Sequence, residues 1–250
     1  MAISAANAFA GGSNINSTVY STASYAFAAG KLYTIGVHHS GSAKRSTQQM
    51  QGGGLSWSKV TTNPFSTIAT PLNTLDIWQA ISSVTATGSV TLTTSGTVSR
   101  CCWVCDEWTE MTTVNSVVQS STAASNLSTA LLVNIATPAA GSATYGVFGV
   151  PSFTSGAMVV GTGYTLLSTG RPASEAIQVK SEWRAASTVA NVSSISIAIG
   201  GIAIEISSAA AAGAATIRQL IQPDLHGTGG NRFLGNLVEF VGESQFVYEN

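Results

Sequence analysis

The sequence predicts an all-β fold, an antiparallel β-sandwich followed by a C-terminal arm. Short runs of β-branched and aromatic residues recur between clusters of Gly, Ser, Thr, Asn and Pro, and no convincing amphipathic helix appears before residue 209. Apolar residues also alternate, so that Tyr33, Ile35 and Val37 share one face of a strand. We therefore expect half-buried antiparallel strands around one core.

The candidate strands follow one another at short intervals, each bounded by turn residues. In the run 129–135, for example, Leu131, Val133 and Ile135 share a face. The predicted strands are 32–39, 55–61, 74–80, 89–93, 97–108, 129–135, 143–150, 164–168, 176–184 and 194–206, with a weaker one at 18–27.

The last of these strands, SISIAIGGIAIEIS, contains a change of register. Its isoleucines fall on odd positions before Gly200 and on even positions after Gly201. A bulge or corner at this glycine pair would keep both halves facing the same core. The pattern therefore predicts a bend at Gly200–Gly201.

The composition is unusually poor in charge. Only 8% of the residues are charged, against about 25% in an ordinary globular chain, and the net charge is −1. This provides no basic surface for nucleic acid and no polybasic stripe for anionic lipid. Little Coulombic repulsion keeps copies apart, so the composition favours membership of a large assembly.

Membrane insertion and secretion are not expected. The longest apolar stretch, 195–206, has about half of the ~20 residues that a membrane helix needs, and it contains Glu205. The segment MAISAANAFAGGS lacks the basic and apolar regions of a secretory signal. We expect synthesis and folding in a cytoplasm.

The segment SRCCWVCDEW holds all three cysteines of the chain. A strand would place Cys102 and Cys105 on opposite faces with Cα atoms about 10 Å apart, beyond the ~7 Å limit for a disulfide. A single CxxC also lacks the second ligand pair of a structural zinc site. On such a strand Cys101, Trp103 and Cys105 lie on one face. Cys102, Val104 and Trp108 lie on the other. We predict buried, reduced thiols and no metal or other cofactor.

The carboxylates nearby raise the question of a glycosidase, whose chemistry needs two carboxylates about 5–10 Å apart across a cleft. Asp106 and Glu107 are neighbours and would diverge on a strand, and Glu110 lies near its end. The same geometry separates His38 from His39. A carbohydrate-cleaving enzyme is the least favoured interpretation, because it would require two carboxylates to converge in a cleft. A structure in which all five candidates diverge would remove it: Asp106, Glu107, Glu110, Glu175 and Glu182.

All five tryptophans fall on predicted strands. An indole there can fill the core or stack on a sugar ring, and we expect at least three to fill the core. They are Trp57, Trp78, Trp103, Trp108 and Trp183. A glycan-binding module of a tail fibre therefore stays open as an alternative function.

Seven segments of packing and turn residues follow one another along the chain: KLYTIGVHHSG, GGLSWSKV, TLDIWQAI, GSVTLTTSGTVSRCCWVCDEWTEM, STALLVNIAT, GTGYTLLSTG and AIQVKSEWR. In this order they resemble a jelly-roll-like domain common in phage and prophage structural proteins, over roughly residues 17–207. The GYTLL turn has Tyr164 where tryptophan is usual in that family. The resemblance implies a non-enzymatic virion protein: capsid decoration, head fibre or tail-associated. It carries over no catalytic residues.

These observations divide the chain into an N-terminal segment 1–16, a jelly-roll-like sandwich 17–207, and an Ala/Gly-rich linker with a docking arm, 208–250. The expected partners are other copies of the chain, with a trimer as the expected form, and the major capsid protein or another virion protein. The arm would bind by burying apolar area. Its predicted interface residues are Phe233, Leu237, Phe240, Phe246 and Tyr248.

Overall fold

The computed structural model describes residues 3–65, 72–151, 158–173 and 177–209. The chain divides into two units, Met1–Ala211 and Ala212–Asn250, and the described residues belong to the first. The predicted arm lies outside the described residues. Sixteen strands occur in the described part: β1 (Ser4–Ser13), β2 (Ser17–Ser21), β3 (Tyr25–Phe27), β4 (Leu32–Gly41), β5 (Thr47–Gly52), β6 (Ser58–Phe65), β7 (Leu72–Ile81), β8 (Ala86–Gly88), β9 (Val90–Val98), β10 (Arg100–Thr109), β11 (Val117–Asn134), β12 (Ala143–Val150), β13 (Met158–Val160), β14 (Thr165–Gly170), β15 (Gln178–Ala185) and β16 (Val189–Ile206).

The strands form antiparallel sheets, which confirms the predicted all-β sandwich. A five-stranded sheet has the order β1-β10-β4-β7-β6, and a six-stranded sheet has the order β11-β16-β12-β15-β14, with β13 also paired to β16. Two small sheets, β2-β9-β5 and β3-β8, complete the body. One hydrophobic cluster packs residues of the five-stranded sheet against the six-stranded one, and another packs its opposite face against the small sheets.

The five-stranded sheet is therefore covered on both faces. All ten residues of β4 are buried, and side chains point alternately into the two clusters. Leu32 faces the six-stranded sheet, whereas Tyr33, Ile35 and Val37 share the face toward the small sheets, as predicted. The expectation of half-buried strands is wrong here, because alternation alone cannot show that the second face is covered as well.

The predicted bend in β16 exists, but it does not lie at the glycines. Pairing with β11 is in unbroken register from Ile199 to Glu205; two register shifts fall between Ile199 and Ser193, and a third lies at the end of the strand, between Glu205 and Ile206. Val133 pairs with Ala190, yet its side chain reaches the position of Gly201. These two β16 residues would be about 36 Å apart in a straight strand at ~3.3 Å per residue. The β11–β16 ribbon must therefore fold back over the outer face of the six-stranded sheet.

Gly200 and Gly201 serve close packing instead of a bend. A Cβ on Gly200 would lie 2.3 Å from the ring of Phe65, and one on Gly201 would lie 2.7 Å from Val133. The isoleucines of the two halves face different clusters, Ile199 under the fold-back and Ile202 between the main sheets. The switch in isoleucine positions therefore reflects two cores and not a bulge at this pair.

Replacing Gly200 by alanine tests this packing. We expect Gly200→Ala to lower the free energy of unfolding by about 1–3 kcal/mol, because the new methyl group overlaps the Phe65 ring. Gly88→Ala is the matched control, since its Cβ would meet its nearest heavy atom at 3.4 Å. Denaturant unfolding of both variants measures the difference. Equal stabilities would contradict the close approach of Phe65.

The sheet also begins earlier than the sequence indicates. β1 pairs with β10 from Ser4 to Ser13, so these residues extend the five-stranded sheet beyond the predicted boundary at residue 17. The sequence SAANAFAGGS lacks β-branched residues, and therefore carried little strand signal. Toward the C-terminus β16 ends at Ile206, next to the predicted boundary at 207.

Candidate functional site

The cysteine segment lies in β10 and is extended, as predicted. Cys101, Trp103 and Cys105 belong to the cluster toward the small sheets, whereas Cys102 and Trp108 belong to the cluster between the main sheets. All three thiols are free and fully buried. In the described ranges no three His, Cys, Asp or Glu side chains are grouped so that they could hold a metal ion.

Burial raises the pKa of each of the three thiols well above its ordinary value. In the folded protein a thiol reagent therefore cannot reach these sulfur atoms, and the thiols stay protonated and unreactive. We expect none of the three cysteines to react with a chromogenic disulfide at pH 8, and all three to react in guanidinium chloride. Rapid labelling of any of them in the folded protein would contradict the assigned position of β10.

Asp106 is the centre of a polar cluster between the two main sheets. Its carboxylate is fully buried and accepts hydrogen bonds from Tyr145 Oη at 2.7 Å and Ser168 Oγ at 2.8 Å. Burial raises the pKa of Asp106 to about 6, although hydrogen bonds from Ser181, Tyr145, Ser168 and Asn7 lower it. The donors come from β1, β12, β14 and β15, so the carboxylate ties β10 to the opposite sheet.

Asp76 forms a second buried cluster, on the opposite face of the five-stranded sheet. Oδ2 accepts the backbone N–H of Thr47 at 2.6 Å and lies 3.2 Å from His39 Nε2, while Oδ1 accepts Thr62 Oγ1 at 2.6 Å. Burial alone would raise the pKa of Asp76. The hydrogen bond and charge of His39, the charge of Lys59 and the Thr62 hydroxyl together lower it below its ordinary value.

The grouping of Thr47, His39 and Asp76 does not form a catalytic triad. In a triad the base uses one ring nitrogen for the nucleophile and the other for the carboxylate. Here His39 Nε2 lies 2.8 Å from Thr47 Oγ1 and also 3.2 Å from Asp76 Oδ2. All three residues are buried, so a substrate cannot reach the hydroxyl. The group fastens β5 to the central sheet.

His38 points the other way, as the sequence predicts for neighbours on a strand. Its Nε2 lies 3.0 Å from Asn73 Oδ1 and its Nδ1 lies 3.1 Å from the carbonyl oxygen of Gln178. Burial lowers the pKa of His38 to about 4, which keeps the ring neutral near pH 7. His226, the third histidine, lies outside the described residues.

Four of the five carboxylates considered for glycosidase chemistry lie in the described residues, and these four do not meet in a cleft. Glu107 lies on the face of β10 opposite Asp106, and Glu110 follows the strand at a positive φ of 59°. Glu182 accepts the backbone N–H of Gly161 at 2.9 Å, and burial raises its pKa to about 7. Its Cγ lies beside the position of Gly146 together with Ala190, which belongs to the cluster under the fold-back, so Glu182 points away from Asp106. Glu175 lies outside the described residues.

Glu107 marks a half-exposed aromatic patch that the sequence did not predict. The carboxylate accepts the hydroxyl of Tyr33 at 2.8 Å and that of Tyr25 at 3.4 Å, and Lys31 Nζ lies 3.9 Å away. Further rings pack against these tyrosines and against Phe27 in tilted or edge-to-face contacts, and three rings of the group are only partly buried. We call Phe9, Tyr25 and Trp57 with Glu107 the aromatic patch.

The tryptophans divide as predicted. Trp78, Trp103 and Trp108 are buried in the core, and Trp57 and Trp183 are partly exposed. Trp183 packs perpendicular to Trp108 at 6.0 Å between ring centroids. Trp57 packs perpendicular to Phe27 at 6.4 Å and donates its indole N–H to the carbonyl oxygen of Gly52.

Comparisons of the chain with protein-family models, with curated proteins and with solved structures gave no match. The described residues also include no helix with the length and hydrophobicity of a membrane span. The five predicted interface residues of the arm, from Phe233 to Tyr248, lie outside the described residues, and their role stays a prediction.

Proposed function

We propose that this chain is a non-enzymatic structural protein of a phage virion, a capsid decoration or head-fibre protein. It assembles in the host cytoplasm as a homo-oligomer, a trimer in the simplest case. A C-terminal arm binds it to the major capsid protein or to another virion protein. The packing and turn segments that resemble phage structural domains support this proposal.

The main observation behind the proposal is that buried titratable side chains connect the sheets and are closed to solvent. Asp76, Asp106, His38 and His39 are buried and hydrogen-bonded between sheets, where they join layers of the body. A catalytic group needs a path for its substrate and a partner in reach. In the described residues these four groups lack access to solvent, and this favours a scaffold.

The low charge supports association as the mode of action. A chain with 8% charged residues has little repulsion between copies, and each contact can repeat across a symmetric particle. A few hundred Å² of apolar area per contact, at about 25 cal/mol per Å², contributes several kcal/mol before entropic costs. Multivalency then raises retention on the particle.

Truncation tests the arm. Deleting residues 216–250 is expected to leave a folded body that does not enter particles, because all sixteen described strands lie before residue 210. Quantitative mass spectrometry of gradient-purified particles measures the copies per particle for the full and truncated chains. Circular dichroism of the truncated chain controls for folding. Normal incorporation of the truncated chain would refute the arm assignment.

A second candidate, a glycan-binding module of a tail fibre, is favoured by the aromatic patch. A partly exposed aromatic ring can stack on a pyranose ring, and a carboxylate can accept hydrogen bonds from sugar hydroxyls. Trp57 and Glu107 are the partly exposed groups of this kind, and the rings of Phe27 and Tyr33 connect them.

A glycan array followed by a point variant tests this candidate. If the chain binds glycans through Trp57, the array is expected to show weak binding, with dissociation constants in the millimolar to micromolar range. Trp57→Ala is expected to abolish this binding while the fold is retained. Trp183→Ala is the control at the other half-exposed indole. An array without hits, for a protein that coats particles, would favour the capsid role.

A further inference from the structure

Three strand segments form a separate layer over the outer face of the six-stranded sheet. They are residues 130–134 of β11, residues 189–193 of β16 and the short strand β13, and we call them the fold-back layer. Two register shifts, between Ser125 and Ala130 of β11, separate this layer from the rest of the β11–β16 ribbon. The ribbon is therefore irregular where it bends, and an irregular connection of this kind can serve as a hinge.

Most of the contact between the fold-back layer and the sheet is apolar. The side chain of Val133 lies beside Gly201, and that of Ala190 lies beside Gly146 in β12. Phe148 of β12 belongs to the same cluster. This burial holds the layer closed, but apolar contacts do not titrate and so give it no pH dependence.

Two ionisable side chains of β15 cross this apolar contact and bind the backbone of the layer. The carboxylate of Glu182 accepts the backbone N–H of Gly161, just after β13, at 2.9 Å, and it also accepts a backbone hydrogen bond from Asn191 of β16. The ammonium group of Lys180 donates to the carbonyl oxygen of Met158. The layer is thus attached to the sheet through groups whose charge depends on pH.

Glu182 is poorly compensated for its burial. The residue is 1% exposed, and its Oε1 has no hydrogen-bond partner in the part of the chain that the structure describes. Closing the layer therefore removes solvent from an ionised carboxylate without replacing all of its hydrogen bonds. Burial outweighs the backbone hydrogen bonds and raises the pKa of Glu182 to about 7. An open layer would return the carboxylate to water.

The other titratable groups on this side of the sheet are few. Lys180 and Arg184 flank Glu182 on the same face of β15, and Arg184 lies over the ring of Tyr164. Burial lowers the pKa of Lys180 and raises that of Tyr164 above its ordinary value of 10. Glu205 is bonded by a side chain of β11 and by a backbone N–H. The three segments of the fold-back layer carry no charged side chain.

We propose that the fold-back layer is a lid that closes when Glu182 is protonated and opens when Glu182 ionises, turning about the bends at 125–130 in β11 and 193–199 in β16. Opening exposes the apolar outer face of the sheet around Phe148. Closing binds a proton, because the closed state has the higher pKa. The closed lid is therefore most stable below pH 4.5, the ordinary pKa of the group, and loses stability as pH rises to about 7. This lid does not depend on the proposed virion role.

Hydrogen–deuterium exchange of the full chain, read by mass spectrometry, tests the lid. With labelling times scaled to the chemical exchange rate at each pH, opening of peptides from the fold-back layer is expected to increase about tenfold from pH 6 to pH 8. Peptides from β4 are expected to stay protected. Glu182→Gln is expected to abolish the increase. Asp106→Asn is the matched control and is expected to retain it, because this buried carboxyl group also has a raised pKa but lies between the main sheets.

Two exchange results would overturn the lid. One is exchange of the fold-back layer that, so corrected, does not change between pH 6 and pH 8, or that changes equally in Glu182→Gln. The other is an increase that Lys180→Met abolishes and Glu182→Gln retains, which would assign the pH dependence to the lysine.

A cysteine placed under the layer provides a second measure of opening. Val133→Cys is suitable, because Val133 is fully buried in this contact and the natural thiols are buried elsewhere. Its rate of reaction with a disulfide reagent, relative to the unfolded chain at the same pH, is expected to rise about tenfold from pH 6 to pH 8. Adding Glu182→Gln is expected to remove the rise. Val104→Cys, between the main sheets, is the control, and an equal rise there would show opening of the whole body and contradict a separate lid.

Discussion

Replacing Asp76 by alanine is expected to lower the free energy of unfolding by about 3–5 kcal/mol, because it removes one partner from a buried charged cluster. The variant would leave the backbone N–H of Thr47 and the Thr62 hydroxyl without their acceptor, and His39 without its carboxylate. Each lost bond to a buried charge contributes about 1.5–3 kcal/mol. Guanidinium unfolding of the full chain measures the change.

Lys59→Met is the control for this cluster. Its ammonium lies 3.8 Å from Asp76 Oδ1, but the side chain is 27% exposed, so solvent screens the pair and the expected loss is below about 1 kcal/mol. If Asp76→Ala were no more destabilising than Lys59→Met, the buried network would not stabilise the body as described.

Replacing Asp106 by asparagine is expected to change the pH dependence of stability. The pKa of Asp106 is about 6 in the folded protein, above its ordinary value of 3.8. The folded state therefore binds the proton more tightly, and the wild type loses stability as pH rises from about 4 to about 6. The total is about 3 kcal/mol at ~1.4 kcal/mol per pH unit. An asparagine side chain cannot ionise, so the variant does not lose this stability, and its free energy of unfolding rises relative to that of the wild type over this pH range.

Comparing the two proteins at each pH isolates this carboxyl group. His38 and Asp76 titrate in both chains, and their contributions cancel in the difference. We expect the variant to gain about 3 kcal/mol relative to the wild type between pH 4 and pH 7. Glu182→Gln provides an independent test of the same effect. Its stability difference from the wild type is expected to change over a higher pH range, because the pKa of Glu182 is about 7. A constant difference across pH for Asp106→Asn would contradict the buried, charged state of Asp106.

The sequence predicts those parts of the fold that depend on alternation. The two faces of β10, the divergence of His38 from His39, and the burial of three tryptophans all follow from the two-residue period of a strand. β12 also begins and ends at the predicted residues. Features that arise from local extended geometry were therefore within reach of the sequence.

Features that depend on how distant strands stack in layers cannot be predicted from the sequence. Nothing in TLDIWQAI indicates that a third layer covers Asp76, or that Thr47 from β5 would bond it. The sequence predicts β11 only over 129–135, because its first half, VVQSSTAASNL, is rich in Ser, Thr and Ala and has little apolar alternation. Its pairing partner is about 70 residues away along the chain. The full length of β11 and its pairing with β16 therefore needed the structure.

Imaging of purified particles tests the central proposal most directly. Under the proposed virion role, electron cryomicroscopy of particles assembled with this chain is expected to show the layered β body at symmetry-related positions, with neighbouring copies in contact. Particles of full infectivity that contain no copy of the chain, while the chain accumulates free in the lysate, would contradict a structural role in the virion.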